Sequence, residues 1–294
     1  MSRQYRFTKM HGCGNDFMVF DCTDQSLWDP ETMALILSDR HVGIGADGMV
    51  MLCPQTAAGA DLSLRFLDPD GSGVPLSVNG LRCAVKLAVD HALTDKTDLA
   101  VQTDAGLFPA SLLPGTVSRN GKTADVRVDM GAPEVTSLGA AAVLGGQDRI
   151  ISEITVGGRY CVLSGEENRL TDPAGNEFDI DRFDLEGLAA SAVDDPLFPG
   201  GADLCVVRTL NKTTLAIRTC TRRGADCSET RADAEGACAA VAAACLRGVC
   251  ARGTDVTVRL RGGEMVVRYE TDEQGGHVLL TGPACTVFDG SLTF

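Results

Sequence analysis

Asn79-Gly80-Leu81-Arg82-Cys83-Ala84-Val85 and Glu235-Gly236-Ala237-Cys238-Ala239-Ala240-Val241 are two versions of one pattern, a polar residue and a glycine running into a small-residue helix that carries a cysteine. A strand lies upstream of each (Leu62 to Phe66; Leu215 to Thr219), followed by a polar, glycine-containing loop. A strand, loop and helix unit that returns after about 156 residues predicts two domains of one architecture. Ser77 stands two residues before the first of these turns, where a nucleophile or proton carrier would be well placed, although a hydroxyl is a poor acid and a poor base.

Working outward, short apolar runs bounded by turn residues read as strands at Arg6–Lys9, Asp16–Asp21, Met49–Cys53, Leu62–Phe66, Leu99–Gln102 and Ala124–Asp129. The texture returns at Ile151–Val156, Arg159–Leu163, Cys205–Thr209, Thr214–Thr219, Asp255–Leu260, Glu264–Tyr269 and His277–Thr281. Helical windows are fewer: Pro30–Ser38, Asn79–Ala92, Asp181–Ala192 and Glu235–Arg247. The expected organisation is an N-terminal domain over 1–131, completed by the C-terminal segment 275–294, and a second domain over 132–274.

The 294 residues suffice for two domains of roughly 100 to 200 residues, and 44% hydrophobic content supplies their cores. No run of about 18 apolar residues occurs and the opening has no signal-like apolar stretch, so the expectation is a cytoplasmic protein with no membrane partner. A net charge of -14 repels phosphate backbones and argues against nucleic acid. The twelve cysteines sit in apolar company without a Cys-x-x-Cys, which reads as free thiols, and the scattered histidines predict no metal site. Gly43-Ile44-Gly45-Ala46-Asp47-Gly48 matches a dinucleotide fingerprint, but it follows a helical window where the fingerprint requires a strand, so it reads as a helix stop and a turn into the next strand. His11 and Cys13, with no third ligand nearby, read as structural.

The glycines at the two helix starts suit a ligand site, because the first turn of a helix has unpartnered N–H groups and partial positive charge. Such turns could hold an amino-acid carboxylate. The competing reading is that Gly80 and Gly236 only allow close packing.

These residues carry a resemblance. Phe7-Thr8-Lys9-Met10-His11-Gly12-Cys13-Gly14-Asn15-Asp16-Phe17, Gly43 to Gly48, Asp70-Gly71-Ser72, the stretch from Asn79 to Cys83, Pro196-Leu197-Phe198-Pro199, Glu229-Thr230, Gly236 to Ala239 and Gly282-Pro283-Ala284 together resemble the diaminopimelate epimerases over essentially the whole chain. The resemblance implies two α/β domains, each a mixed sheet or barrel around a central helix, with the site in the interdomain cleft, no cofactor, an amino acid as ligand and a possible homodimer. It also implies a thiolate and thiol pair on opposite faces of the substrate α-carbon. This chain departs from that pattern: Ser77 and Asp233 stand where the family has its two cysteines.

Carried over residue by residue, the resemblance makes Asp233 and Ser77 the catalytic candidates and Asn15, Asp68, Asn79, Gly80, Glu166, Asp203, Arg222, Arg223, Ala234, Glu235 and Gly236 the substrate-binding ones. Carboxylates at Asp68, Glu166 and Asp203 in place of family asparagines favour a cationic amino acid. Val78 and Ala234 add side chains to turns that the family leaves bare, and the loop Ala225 to Ser228 is about two residues longer than usual. Three functions stay open: an isomerase with Asp233 as base, a non-catalytic homologue that binds an amino acid or regulates a partner, and a genuine diaminopimelate epimerase working through Cys83 or Cys227.

Overall fold

The computed structural model describes residues 3–55, 57–192, 201–223, 226–272 and 275–293, with backbone alone for 191, 192, 222, 223, 226, 272 and 275. It has two compact units, residues 1–129 with 281–294, and residues 130–280.

The first unit contains β1 (Gln4–Gly12), β2 (Asn15–Asp21), α1 (Pro30–Leu37), β3 (Gly48–Cys53), β4 (Leu62–Leu67), β5 (Gly73–Val74), α2 (Val78–Asp90), β6 (Asp98–Thr103), β7 (Gly106–Leu113) and β8 (Thr123–Asp129). The second contains β9 (Glu134–Leu144), β10 (Gln147–Val156), β11 (Gly158–Ser164), α3 (Leu185–Ala192), β12 (Asp203–Asn211), β13 (Thr214–Arg223), β14 (Asp226–Thr230), α4 (Ala234–Leu246), β15 (Asp255–Leu260) and β16 (Gly263–Asp272). The last strand, β17 (Gly275–Thr293), begins in the second unit and ends in the first.

In the first unit β1 pairs antiparallel with β2, β2 parallel with β3, β3 antiparallel with β4, β4 parallel with β6, and β6, β7 and β8 follow antiparallel. β17 bonds to both β8 and β1, which closes an eight-stranded barrel. The second unit repeats the sequence of pairings: β9, β10 and β11 antiparallel, β11 parallel with β12, β12 antiparallel with β13, β13 parallel with β15, β15 antiparallel with β16. Each unit is therefore a mixed sheet curled around one helix, α2 in the first and α4 in the second.

The composition of those helices follows from where they sit. α4 is built from alanine, glycine, cysteine, valine and leucine apart from Glu235, and is buried from Ala234 to Cys245 except for Glu235; small side chains let strands approach from several sides. α2 is buried from Val78 to Ala88, yet Arg82 and Lys86 lie on one face at helical spacing. Lys86 Nζ is held by Asp90 Oδ2 and, over 2.9 Å, by the Gly121 carbonyl, whereas Arg82 bonds through Nη2 to Asn79 Oδ1 and its Nε and Nη1 have no hydrogen-bond partner among the described residues. α1 and α3 cover the outer faces of the sheets. Met33, Ala34 and Leu37 pack with Tyr5, Phe20 and Met51, and Leu185 and Ala189 with Ile151, Leu163 and Val206.

All thirteen strand readings fall within observed strands, and the four helical windows hold helices. The window at Asp181 yields a helix only from Leu185, because Asp184 caps it: its Oδ1 accepts from Gly187 N at 2.9 Å. Four further strands, β5, β7, β9 and β14, lie outside the sequence readings. Pro109 interrupts β7 and Gly139, at φ 60°, interrupts β9, both residues that weaken a strand reading, and cross-strand pairing forms these strands instead. The dinucleotide-like stretch is the turn from α1 into β3: Gly43 N donates to Asp39 O at 3.0 Å, and Ile44 N and Gly45 N both reach Leu37 O at 2.9 Å.

Candidate active site

Ser77 and Asp233 are the N-caps of α2 and α4, in extended backbone, and each accepts a hydrogen bond from the glycine three residues on. The Ser77 hydroxyl takes the Gly80 N–H at 3.3 Å and Asp233 Oδ1 takes the Gly236 N–H at 2.8 Å. The N–H groups of both glycines are thus held by the caps of their own helices. Gly80 is a packing glycine: a Cβ there would lie 3.0 Å from Val50 Cγ2 and 3.1 Å from the Phe66 ring. Gly236 differs. A Cβ there would lie 2.9 Å from the Asp233 carboxyl and 2.9 Å from Thr219 Oγ1, so its bareness makes room for polar groups. Ala234, like Val78, is wholly buried and offers no exposed surface.

Around Asp233 the second unit assembles a buried polar cluster. Tyr160, on β11, donates its hydroxyl to Asp233 Oδ1 at 3.0 Å. Asp233 Oδ2 has no hydrogen-bond partner among the described residues, and the residue is only 7% exposed. Burial raises the Asp233 carboxyl above the ordinary range, against the opposing pull of the Gly236 N–H, the Tyr160 hydroxyl and the Glu235 backbone. Tyr160 is pushed up as well, first by burial and then by the charges of Asp233, Glu235 and Asp203. Asp203 opens β12 in parallel register with Tyr160, which places three carboxylates within electrostatic reach of one phenol. Tyr160 was not among the sequence candidates. No local feature of the sequence marked it, because what singles it out is its direct parallel pairing with Asp203 across β11 and β12.

In the first unit Asn15, at the start of β2, joins the α2 turn. Asn79 Nδ2 donates to Asn15 Oδ1 at 3.1 Å, and Asn15 Nδ2 donates to Asp47 Oδ2 at 3.0 Å. Arg40 spans Asp16 and Asp47, reaching Asp16 Oδ1 and Asp47 Oδ1 at 2.6 Å each, and Lys9 pairs with Asp16. Burial would raise the Asp16 carboxyl, but the hydrogen bonds from Arg40 and Lys9 outweigh it and hold it well below the usual range. Asp68 forms the turn after β4, its N–H bonded to Ser72 O and its carbonyl to the Gly71 N–H, both at 2.9 Å.

Glu166 is not brought to this turn. It lies beside the last turns of α4, in a cavity of about 290 Å³ lined also by Ser164, Thr209, Ala243 and Arg247. Its carboxylate accepts from Thr209 N at 3.2 Å and Ser164 Oγ at 3.3 Å. From Asp233 to Ala243 a helix rises roughly 15 Å, so Glu166 belongs to the opposite end of α4. Arg222 and Arg223 end β13, and their side chains fall outside the described residues, as do Pro196 to Pro199 and Ala225 of the lengthened loop. Cys83 is fully buried in α2, which pushes its thiol up to about 12, and Cys227 packs with Cys220 at an Sγ to Sγ distance of 2.7 Å.

The family model for diaminopimelate epimerase matches residues 7–136 and 176–287, more than half of the chain. The chain belongs to the diaminopimelate epimerase family. It is 37% identical over 291 residues to the diaminopimelate epimerase of Bacillus velezensis and 35% identical over 290 residues to that of Bacillus subtilis, in each case covering 97% of this chain and 98% of the relative. Among solved structures, a hydroxyproline epimerase from Agrobacterium vitis with bound trans-4-hydroxy-L-proline superposes with a TM-score of 0.72 at 17% identity, covering 99% of this chain and 91% of that one. Family and fold together make this diaminopimelate epimerase family member an isomerase of the amino-acid epimerase type.

Proposed function

We propose that the chain moves a proton at the α-carbon of a small, cationic amino acid, without a cofactor, and that Asp233 is the base. The observation that carries this reading is the Asp233 carboxyl itself: one oxygen is fixed by Gly236 and Tyr160, the other has no partner among the described residues, and burial has raised its basicity. A base for an α-proton needs a pKa nearer the working pH than an exposed aspartate has, and desolvation supplies that shift. Tyr160 is the positioning residue that fixes the rotamer of the carboxyl. Ser77 caps α2 in the first unit as Asp233 caps α4 in the second. Asp203 and Glu235, within electrostatic reach of Tyr160 beside Asp233, support a preference for a cationic ligand, whereas Glu166 adds nothing to it from the far end of α4.

The test is solvent exchange. The purified protein is incubated in deuterium oxide with both diaminopimelate stereoisomers, lysine, ornithine, arginine and histidine, and α-deuterium and inversion are read by mass and chiral analysis. Exchange that disappears in Asp233→Asn supports the proposal. Exchange that survives the substitution removes Asp233 from the mechanism, and binding without exchange turns the reading into that of a non-catalytic amino-acid binder.

A further inference from the structure

We propose that Cys285, paired across strands with His11 and hydrogen-bonded by Thr123, is a reactive thiol and a site of covalent modification by soft electrophiles and low-molecular-weight disulfides. The pairing is set by the barrel seam. In the antiparallel β1 and β17 ladder His11 and Cys285 are direct Cα partners, just past an irregularity at Lys9 and Met10. Thr123, at the start of β8, donates its hydroxyl to Cys285 Sγ at 3.4 Å. Cys285 is partly exposed, whereas Cys13, Cys83, Cys205 and Cys250 are buried.

The orientation of His11 is fixed by the hairpin beside it. Gly12 and Asn15 pair directly, so Cys13 and Gly14 form a two-residue turn, with φ of 52° and 83°. That turn aims the Gly14 N–H at His11 Nδ1 over 3.3 Å. With Nδ1 accepting that bond, Nε2 carries the ring proton of the neutral imidazole, and the His11 side chain is hydrogen-bonded to Cys285. Two donors on one sulfur favour its ionised form. Burial alone would raise the Cys285 thiol, yet the His11 and Thr123 hydrogen bonds and the Lys86 charge from α2 bring it below its ordinary value. The other charged groups at the pair are Asp16, opposite His11 on β2, and Lys9 on β1, and the Cys13 thiol also lies within reach. Other thiols go the opposite way. Burial pushes Cys22 and Cys83 up to about 12 and Cys245 to about 11, and raises Cys13, Cys53 and Cys250.

With a disulfide the step balances without another oxidant. Cys285 gives its proton to solvent and its thiolate attacks one sulfur of R–S–S–R. A Cys285–S–S–R bond forms as the old bond breaks, and RS⁻ leaves and takes a proton from water. With iodoacetamide a C–S bond forms and iodide leaves.

The experiment treats the native, full-length protein with limiting iodoacetamide at pH 7, and in parallel with oxidised glutathione, and maps the twelve cysteines by peptide mass. Cys285 is expected to be modified at least tenfold faster than any other cysteine, with a rate inflection below the pH of about 8.5 that an ordinary thiol gives. His11→Asn, or Thr123→Val where the first does not fold, is expected to slow modification at pH 7 about tenfold and to move the inflection upward. First labelling at another cysteine, or a Cys285 rate indifferent to both substitutions, overturns the proposal.

Discussion

The Tyr160 hydroxyl donates to Asp233 Oδ1 across 3.0 Å, joining a β11 side chain to the N-cap of α4, 73 residues further along the chain. Replacing Tyr160 by Phe removes a donor that stabilises the ionised carboxylate, so the Asp233 pKa rises further. The acid limb of the exchange rate against pH is therefore expected to move to higher pH. The loss of a hydrogen bond to a charged group, about 1.5–3 kcal/mol, corresponds to a rate loss of roughly tenfold or more where that charge is needed. A pH profile of α-deuteration for both proteins checks the direction. A uniform fall with no shift of the limb counts against the link.

Asp233→Asn is expected to stabilise the fold while abolishing exchange. Asparagine keeps the cap and still accepts from Tyr160, but it removes a carboxyl that is buried with one oxygen unpartnered. A carboxyl with a raised folded pKa contributes stability that is present below its unfolded value, near 3.9, and is lost as pH rises through the folded value. What the variant removes is the buried charge, so its gain is expected at neutral pH and should fade in acid. Denaturant melts at pH 7 and pH 3.5 report it.

The two glycine turns separate packing from chemistry. Gly80→Ala meets Val50 and Phe66, and the strain is expected to cost about 1–3 kcal/mol and to show as a lower Tm, with exchange per folded molecule retained. Gly236→Ala presses on the Asp233 carboxyl and Thr219, and exchange is expected to fall by far more than stability does. Equal effects of the two on exchange would remove the distinction.

Asp16→Asn leaves Lys9, which is only 8% exposed, without its carboxylate. Breaking a mostly buried pair in this way costs roughly 3–5 kcal/mol, and the low end is expected here because Arg40 still binds Asp47. Because the folded Asp16 pKa is depressed, its contribution is present above about pH 4 and is lost as pH falls below it. The wild-type protein should lose more stability between pH 7 and pH 3 than the variant does, which chemical denaturation at the two values would show.

The sequence by itself determined the repeat, the strands that alternate or run apolar, the central helices and the glycine turns that open two of them. Each of these is written in residues a few positions apart: Ser77 with Gly80 and Asp233 with Gly236 are local patterns, and so is the stop at Gly43. Tertiary structure alone decided what those turns face. Gly80 and Gly236 occupy the same place in the same motif, yet Phe66 and Val50 surround one and Thr219 and a carboxyl the other. Glu166 looked like a neighbour of Asp233 and lies at the far end of α4, while Tyr160, which nothing local marked, is bonded to it. The pairing of His11 with Cys285 joins strands at the two ends of the chain. Such contacts depend on strand register and on which β-ladder closes the barrel, and these are set by the sum of many distant pairings rather than by any short stretch of residues.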